Sequence, residues 1–179
     1  MSDPTTYIVL FRGVGGATQL PVARLRQALG EGGFGAVATY INSGNAVLDS
    51  PWDAAATRKR IAGIVAREFG FTKEIMLVGR ADWRRVIAEN PFPEAADQPT
   101  LLHVFVLAQA PRPDAFAALQ DRARGESLHL RGNILYLHVP DGFSASKLPP
   151  VLDRTLGTTS TARNWRTVLA LDRLAGAAR

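Results

Sequence analysis

The chain has 179 residues, of which 46% are hydrophobic and 21% charged, and it contains no cysteine; that balance belongs to globular proteins and excludes disulfide scaffolds, cysteine-ligated metal centres and thiol catalysis. Its 21 Lys and Arg against 16 Asp and Glu give a formal charge of +5. All the basic residues except Lys59, Lys73 and Lys147 are arginine, whose forked donors suit phosphate and carboxylate. The first residues carry no basic leader and the apolar run 7–11 is too short for a signal peptide or a membrane span, so a cytoplasmic protein without membrane association is expected.

Residues 7–11 (Tyr-Ile-Val-Leu-Phe) read as a buried strand that runs into the glycine-rich loop Arg12-Gly13-Val14-Gly15-Gly16. Pro21 suits a first helical position, and Val22, Leu25, Ala28 and Leu29 recur at helical spacing until Gly30, Gly32 and Gly33 stop the helix. Residues 37–48 predict a hairpin around Asn42-Ser43-Gly44-Asn45, because Gly and Asn tolerate positive φ. A helix over 54–69 follows, with Ile61, Ile64, Val65 and Phe69 on one face, then a strand over 75–78 and a helix near 82–89. After the breaker Asn90-Pro91-Phe92-Pro93 a similar order begins again: a strand over 101–107, a helix over 114–122 and a hairpin over 128–139 turning at Gly132-Asn133.

The pairs Gly44-Asn45 and Gly132-Asn133 lie 88 residues apart, close to half the chain. The expected fold is therefore α+β, with two lobes of ferredoxin-like βαββαβ order, mainly antiparallel sheets and an approximate internal duplication. Residues 1–90 would form the N-terminal lobe and residues 100–179 the C-terminal lobe with its terminal helix, joined around 91–99.

A two-residue turn at Gly132-Asn133 sets Arg131 opposite Ile134 and His129 opposite Tyr136. Leu128, Leu130, Leu135, Leu137 and Val139 then share the face that packs on helices. His129, Arg131, Tyr136 and His138 share the other, which is expected to be either solvated or a contact surface for nucleic acid. The segment 161–167 is expected to open the last helix, with Trp165, Val168, Leu169 and Leu171 inward, Asn164 beside them, and Arg163, Arg166 and Arg173 opposite.

Several motifs fail on inspection. Gly13, Gly15 and Gly16 lack the third glycine and the acidic partner of a dinucleotide fingerprint, and no Gly-Lys-Ser/Thr closes a P-loop. Ser144-Ala145-Ser146-Lys147 matches Ser-x-x-Lys without the companion motifs of an acylating enzyme; Ser146 reads instead as the N-cap of a helix through Leu156, with Pro149 and Pro150 in its first turn. His103, His129 and His138 all fall in strands rather than at metal-ligand spacing. No metal or cofactor is expected, and no residue pattern names a reaction.

Seven segments carry a resemblance: Arg12 to Gly16, Thr39 to Asn45, Asn90-Pro91-Phe92, Leu102-His103-Val104, Tyr136 to Gly142, Ser146-Lys147-Leu148 and Arg163 to Thr167. In this order they resemble the bacterial domain-of-unknown-function family numbered 1697, over nearly the whole chain. The resemblance implies a duplicated α+β protein whose biochemical role is unassigned. The family's first loop usually reads Leu-Arg-Gly-Ile-Asn-Val-Gly-Gly and continues to a lysine; here the loop is two residues shorter and Gln19 stands near the lysine's place, while the family's Ser-Lys pair falls on Ser146 and Lys147.

Polar residues with Arg and Lys thus stand at a strand end, a hairpin turn and two helix starts. The expectation is that Arg12, Ser43, Asn45, Ser146, Lys147, Arg163 and Asn164 converge on a polar cleft between the lobes that binds a small phosphorylated or carboxylated ligand. The alternative is a module for RNA or single-stranded DNA. It would use the open hairpin face and the C-terminal region from residue 142 onward, which holds six basic residues against two acidic ones.

Overall fold

The computed structural model describes residues 3–177; Met1 and Arg179, the latter counted in the basic C-terminal region, lie outside the described residues. Two compact units divide the chain, one of residues 1–85 with 170–179, the other of residues 86–169. The chain passes from the first to the second within one helix and returns within another.

The first unit opens with β1 (Thr5–Phe11), α1 (Val22–Glu31), β2 (Gly35–Thr39), β3 (Asn45–Ser50), α2 (Ala54–Phe69) and β4 (Ile75–Gly79), followed by α3 (Arg80–Ala88). Its sheet has the order β2-β3-β1-β4, and every pairing is antiparallel. Val9, Phe11, Ala46 and Leu48 project from one face of that sheet onto Leu25, Leu29, Ile61 and Val65 of the two helices, which is the core of this unit. Helix α2 starts where Asp53 accepts a hydrogen bond from Ala56 N–H, and it ends at Gly70, whose φ of 75° closes the left-handed cap.

The second unit repeats the order. After a 3₁₀ turn at Pro93–Asp97 come β5 (Leu102–Leu107), α4 (Pro113–Gln120), β6 (Ser127–Arg131), β7 (Ile134–His138), α5 (Pro149–Leu156) and β8 (Ser160–Asn164), then α6 (Trp165–Ala177). The sheet order β6-β7-β5-β8 is that of the first unit, again antiparallel throughout. Each hairpin occupies the same place in its sheet, and each first strand ends by donating to the hairpin turn: Phe11 N–H to Gly44 O and Leu107 N–H to Asn133 O, both at 2.9 Å. The protein is therefore two ferredoxin-like lobes related by internal duplication, each followed by a helix.

Two local expectations are corrected. Segment 161–167 does not simply open the last helix, because residues 160–164 pair with β5 as an edge strand and the helix begins at Trp165. Arg163 is consequently a strand residue opposite Val104, not part of the exposed helical face. Ser146 does not cap α5 either; Leu148 holds the cap position, and Ser146 Oγ accepts the Leu148 N–H at 3.2 Å in a turn just upstream.

Candidate functional site

The seven expected residues fall into two groups. Arg12, Ser43 and Asn45 lie in the first unit; Ser146, Lys147, Arg163 and Asn164 lie in the second.

In the first unit the glycine-rich loop and the hairpin turn pack together. Gly44 takes φ +77°, and a Cβ there would stand 2.6 Å from Val14 Cγ2 and 2.9 Å from Phe11 Cβ, so both conformation and space demand glycine. Asn45 is 1% exposed, and its amide donates to the Tyr40 carbonyl and to Ser43 Oγ, each at 3.1 Å. Arg12 lies 4.0 Å from the Glu74 carboxylate, and Lys73 Nζ donates to the Gly13 carbonyl. Between these groups Ile41 adopts φ +45° while remaining 50% exposed, a costly backbone state for a β-branched side chain.

In the second unit Ser146 and Lys147 line a cavity of about 110 Å³ together with Arg122, Arg124, Glu126, Asp141 and the 139–142 loop. Ser146 Oγ donates to Glu126 Oε1 at 2.5 Å, and Glu126 Oε2 accepts from Arg124 N–H at 2.7 Å. The Ser146 hydroxyl, followed by that backbone amide, holds the Glu126 carboxyl below its ordinary range. Arg124 donates to the carbonyls of Asp121 and Ala123 and is thereby oriented. The side chains of Arg122 and Lys147 make no hydrogen bond or ion pair among the described residues, and both residues are exposed.

Arg163 and Asn164 do not line this cavity. Arg163 donates from Nη1 to Thr161 Oγ1 and to the Ala162 carbonyl, both at 2.7 Å, and burial lowers its pKa to about 10. Asn164 Oδ1 accepts the Thr167 N–H at 3.0 Å, so this side chain caps α6. Sequence reasoning missed Arg122, Arg124 and Glu126. The Arg-x-Arg-Gly-Glu run before β6 was available as a signal, but nothing local tied it to Ser146, 20 residues downstream.

The hairpin register matches expectation: Arg131 faces Ile134 and His129 faces Tyr136. Leu135, Leu137 and Val139 sit in the helix-packed core, with Leu128 and Leu130 against it. The opposite face is not open, however. Tyr136 is 1% exposed and its hydroxyl donates to the Val86 carbonyl at 2.8 Å; Arg131 pairs with Glu89; the His138 ring lies 6.2 Å from Phe92. Residues 86–92 cover in part what alternation left as a free surface.

His103 projects from β5 into the apolar side of the sheet, 8% exposed, with its ring centre 4.2 Å from that of Phe143. Burial drops its pKa to about 4, and its Nδ1 has no partner among the described residues. It is thus neutral at physiological pH. Also among the described residues, no helix is long and apolar enough to cross a membrane.

A family described as "Protein of unknown function (DUF1697)" matches residues 5–136, which is the family of the resemblance and takes in the first four quoted segments; Tyr136 to Gly142 begins at the last matched residue, and the segments at 146–148 and 163–167 lie beyond it. Among solved structures, the chain resembles the conserved bacterial protein SP0830 from Streptococcus pneumoniae, with a TM-score of 0.71 and 20% identity over 96% of this chain and 99% of that one. At this identity the likeness speaks to the fold. No curated protein matches the chain.

Proposed function

The chain belongs to the DUF1697 family of proteins of unknown function, and we propose that it binds a small anion, a phosphate or carboxylate group, in the cavity of the second unit. The observation that carries this reading is the pair of unpartnered cations, Arg122 and Lys147, on a 110 Å³ space that also holds the Ser146 hydroxyl. Neither side chain is engaged by a carboxylate, although Glu126 and Asp141 also line the space, so both keep donors that an oxyanion would accept. The volume suits a bare oxyanion group; whole metabolite pockets are larger, about 300–1,000 Å³, so the rest of a ligand would project outward. Glu126 does not oppose this strongly, since Ser146 and the Arg124 amide already engage both of its oxygens.

Arg12, Ser43, Asn45, Arg163 and Asn164, expected on the same ligand, do not line this cavity. Their recorded contacts favour local roles in turn, strand and cap. The test is binding of inorganic phosphate, followed by ³¹P NMR line broadening, with Lys147→Ala, Arg122→Ala and Arg12→Ala compared against the parent. The reading expects broadening that Lys147→Ala and Arg122→Ala each weaken about tenfold or more, the equivalent of about 1.4 kcal/mol. Unchanged binding in both variants contradicts it. A nucleic-acid module on the hairpin face has less in its favour, because a buried Tyr136 cannot stack on a base.

A further inference from the structure

Strand β6 (Ser127–Arg131) is an edge of its sheet, paired only with β7. The two-residue turn, with Gly132 at φ +58°, makes Arg131 and Ile134 a hydrogen-bonded pair. The Leu107 N–H to Asn133 O bond on the other side of β7 requires the same alternation. Leu128 and Leu130 therefore direct their N–H and C=O groups away from β7, and no backbone hydrogen bond on that side is made among the described residues. The duplicated fold supplies its own comparison. Strand β2 holds the equivalent edge in the first unit, and it is interrupted by a bulge between Gly35 and Ala38, with Ala36 at φ +45°. Bulges of this kind protect edges from pairing; β6 has none.

We propose that β6 is a self-association edge, at which two copies of the chain pair antiparallel about a two-fold axis through His129. The occupant follows from the sequence of the strand. In the alignment centred on His129, Leu128 meets the partner's Leu130, Ser127 meets the partner's Arg131, and His129 meets the partner's His129. Leucines then extend the apolar, helix-packed face across the junction, where Leu128 and Leu130 already lie against the core. Polar residues meet on the other face, and Arg131 of each strand stands opposite a serine rather than the other arginine. All the outward backbone groups of Leu128 and Leu130 are satisfied, by four N–H···O=C bonds related by the axis. The interface is one short strand, so the dimer is concentration-dependent rather than obligate.

The absence of cysteine from the chain gives a clean test. In this alignment His129 occupies a non-hydrogen-bonded pair, where Cα atoms lie about 4.5 Å apart, within the span a disulfide bridges. The full-length His129→Cys protein, oxidised under mild conditions at micromolar to millimolar concentration, is expected to form a covalent dimer. Ser127→Cys, whose counterpart across the axis is arginine, is expected to remain largely monomeric. Both positions are at least partly exposed, and circular dichroism checks that each variant folds. In parallel, sedimentation velocity should show the parent shifting toward dimer with concentration, and His129→Glu, which opposes two carboxylates, losing that shift. A parent that stays monomeric throughout the range overturns the proposal. So do equal crosslinking at 127 and 129, or a dimer that His129→Glu leaves intact.

Discussion

Tyr136 carries a polar atom into the interior and returns it to the backbone at Val86. Burial pushes its pKa up to about 12, with Arg131 opposing and Glu89 reinforcing that shift. A phenol whose folded pKa lies above its unfolded value contributes stability that is complete below about pH 10 and is lost as the pH rises toward 12. Ultraviolet titration should show one of the three tyrosines ionising late. Tyr136→Phe is expected to remove that late step and to cost about 1–3 kcal/mol in denaturant unfolding, because the Val86 carbonyl loses its donor. His103 works with the opposite sign. Its folded pKa is depressed to about 4, so the stability it contributes is present above about pH 6.5 and is lost as the pH falls toward 4. Denaturation midpoints measured across that window should fall for the parent and flatten for His103→Phe. At Glu126 the carboxyl is held low chiefly by Ser146; in Ser146→Ala its NMR titration midpoint should move upward, toward the ordinary carboxylate value.

Among the elements, the two hairpins and their flanking helices were legible because each carries its own periodicity. Continuous apolar runs such as 7–11 and 102–107, glycine stops at 30–33 and the two Gly-Asn turns all act within a few residues. Strand β8 was not legible. Ser160 to Asn164 is almost wholly polar, and the helical stripe that starts at Trp165 extrapolates backwards across it; only pairing with β5, more than 50 residues upstream, makes it a strand. The same limit hid the state of Tyr136, since alternation assigns a face but not what covers it. Hairpin strain is a property of this scale as well. Gly44→Ala should destabilise by about 1–3 kcal/mol, from a left-handed φ and contact with Val14 and Phe11. Ile41→Gly should stabilise by about 1 kcal/mol, since it relieves a positive φ on a β-branched residue. Chemical denaturation of the two variants measures both.

For the whole molecule, the duplicated lobes explain why polar motifs recur at strand ends and turns: a ferredoxin-like lobe places its hairpin turn beside the end of its first strand twice over. That recurrence drew seven residues of the two units into one expected set. Their contacts assign several of them to local work, and the cavity in the second unit draws on Arg122, Arg124 and Glu126, which no periodic pattern marks. The anion reading therefore rests on the unpartnered charges of Arg122 and Lys147. A thermal-shift titration with inorganic phosphate and small carboxylates at constant ionic strength, run on the parent and on Lys147→Ala, tests it most directly. An anion that binds here at 100 times its dissociation constant stabilises by about 2.7 kcal/mol, or roughly 5–10 °C for a chain of this size. The account predicts that the parent shows this saturable shift and that Lys147→Ala, at equal unliganded stability, loses most of it. A parent that no anion stabilises, or a shift of equal size in both proteins, would contradict it.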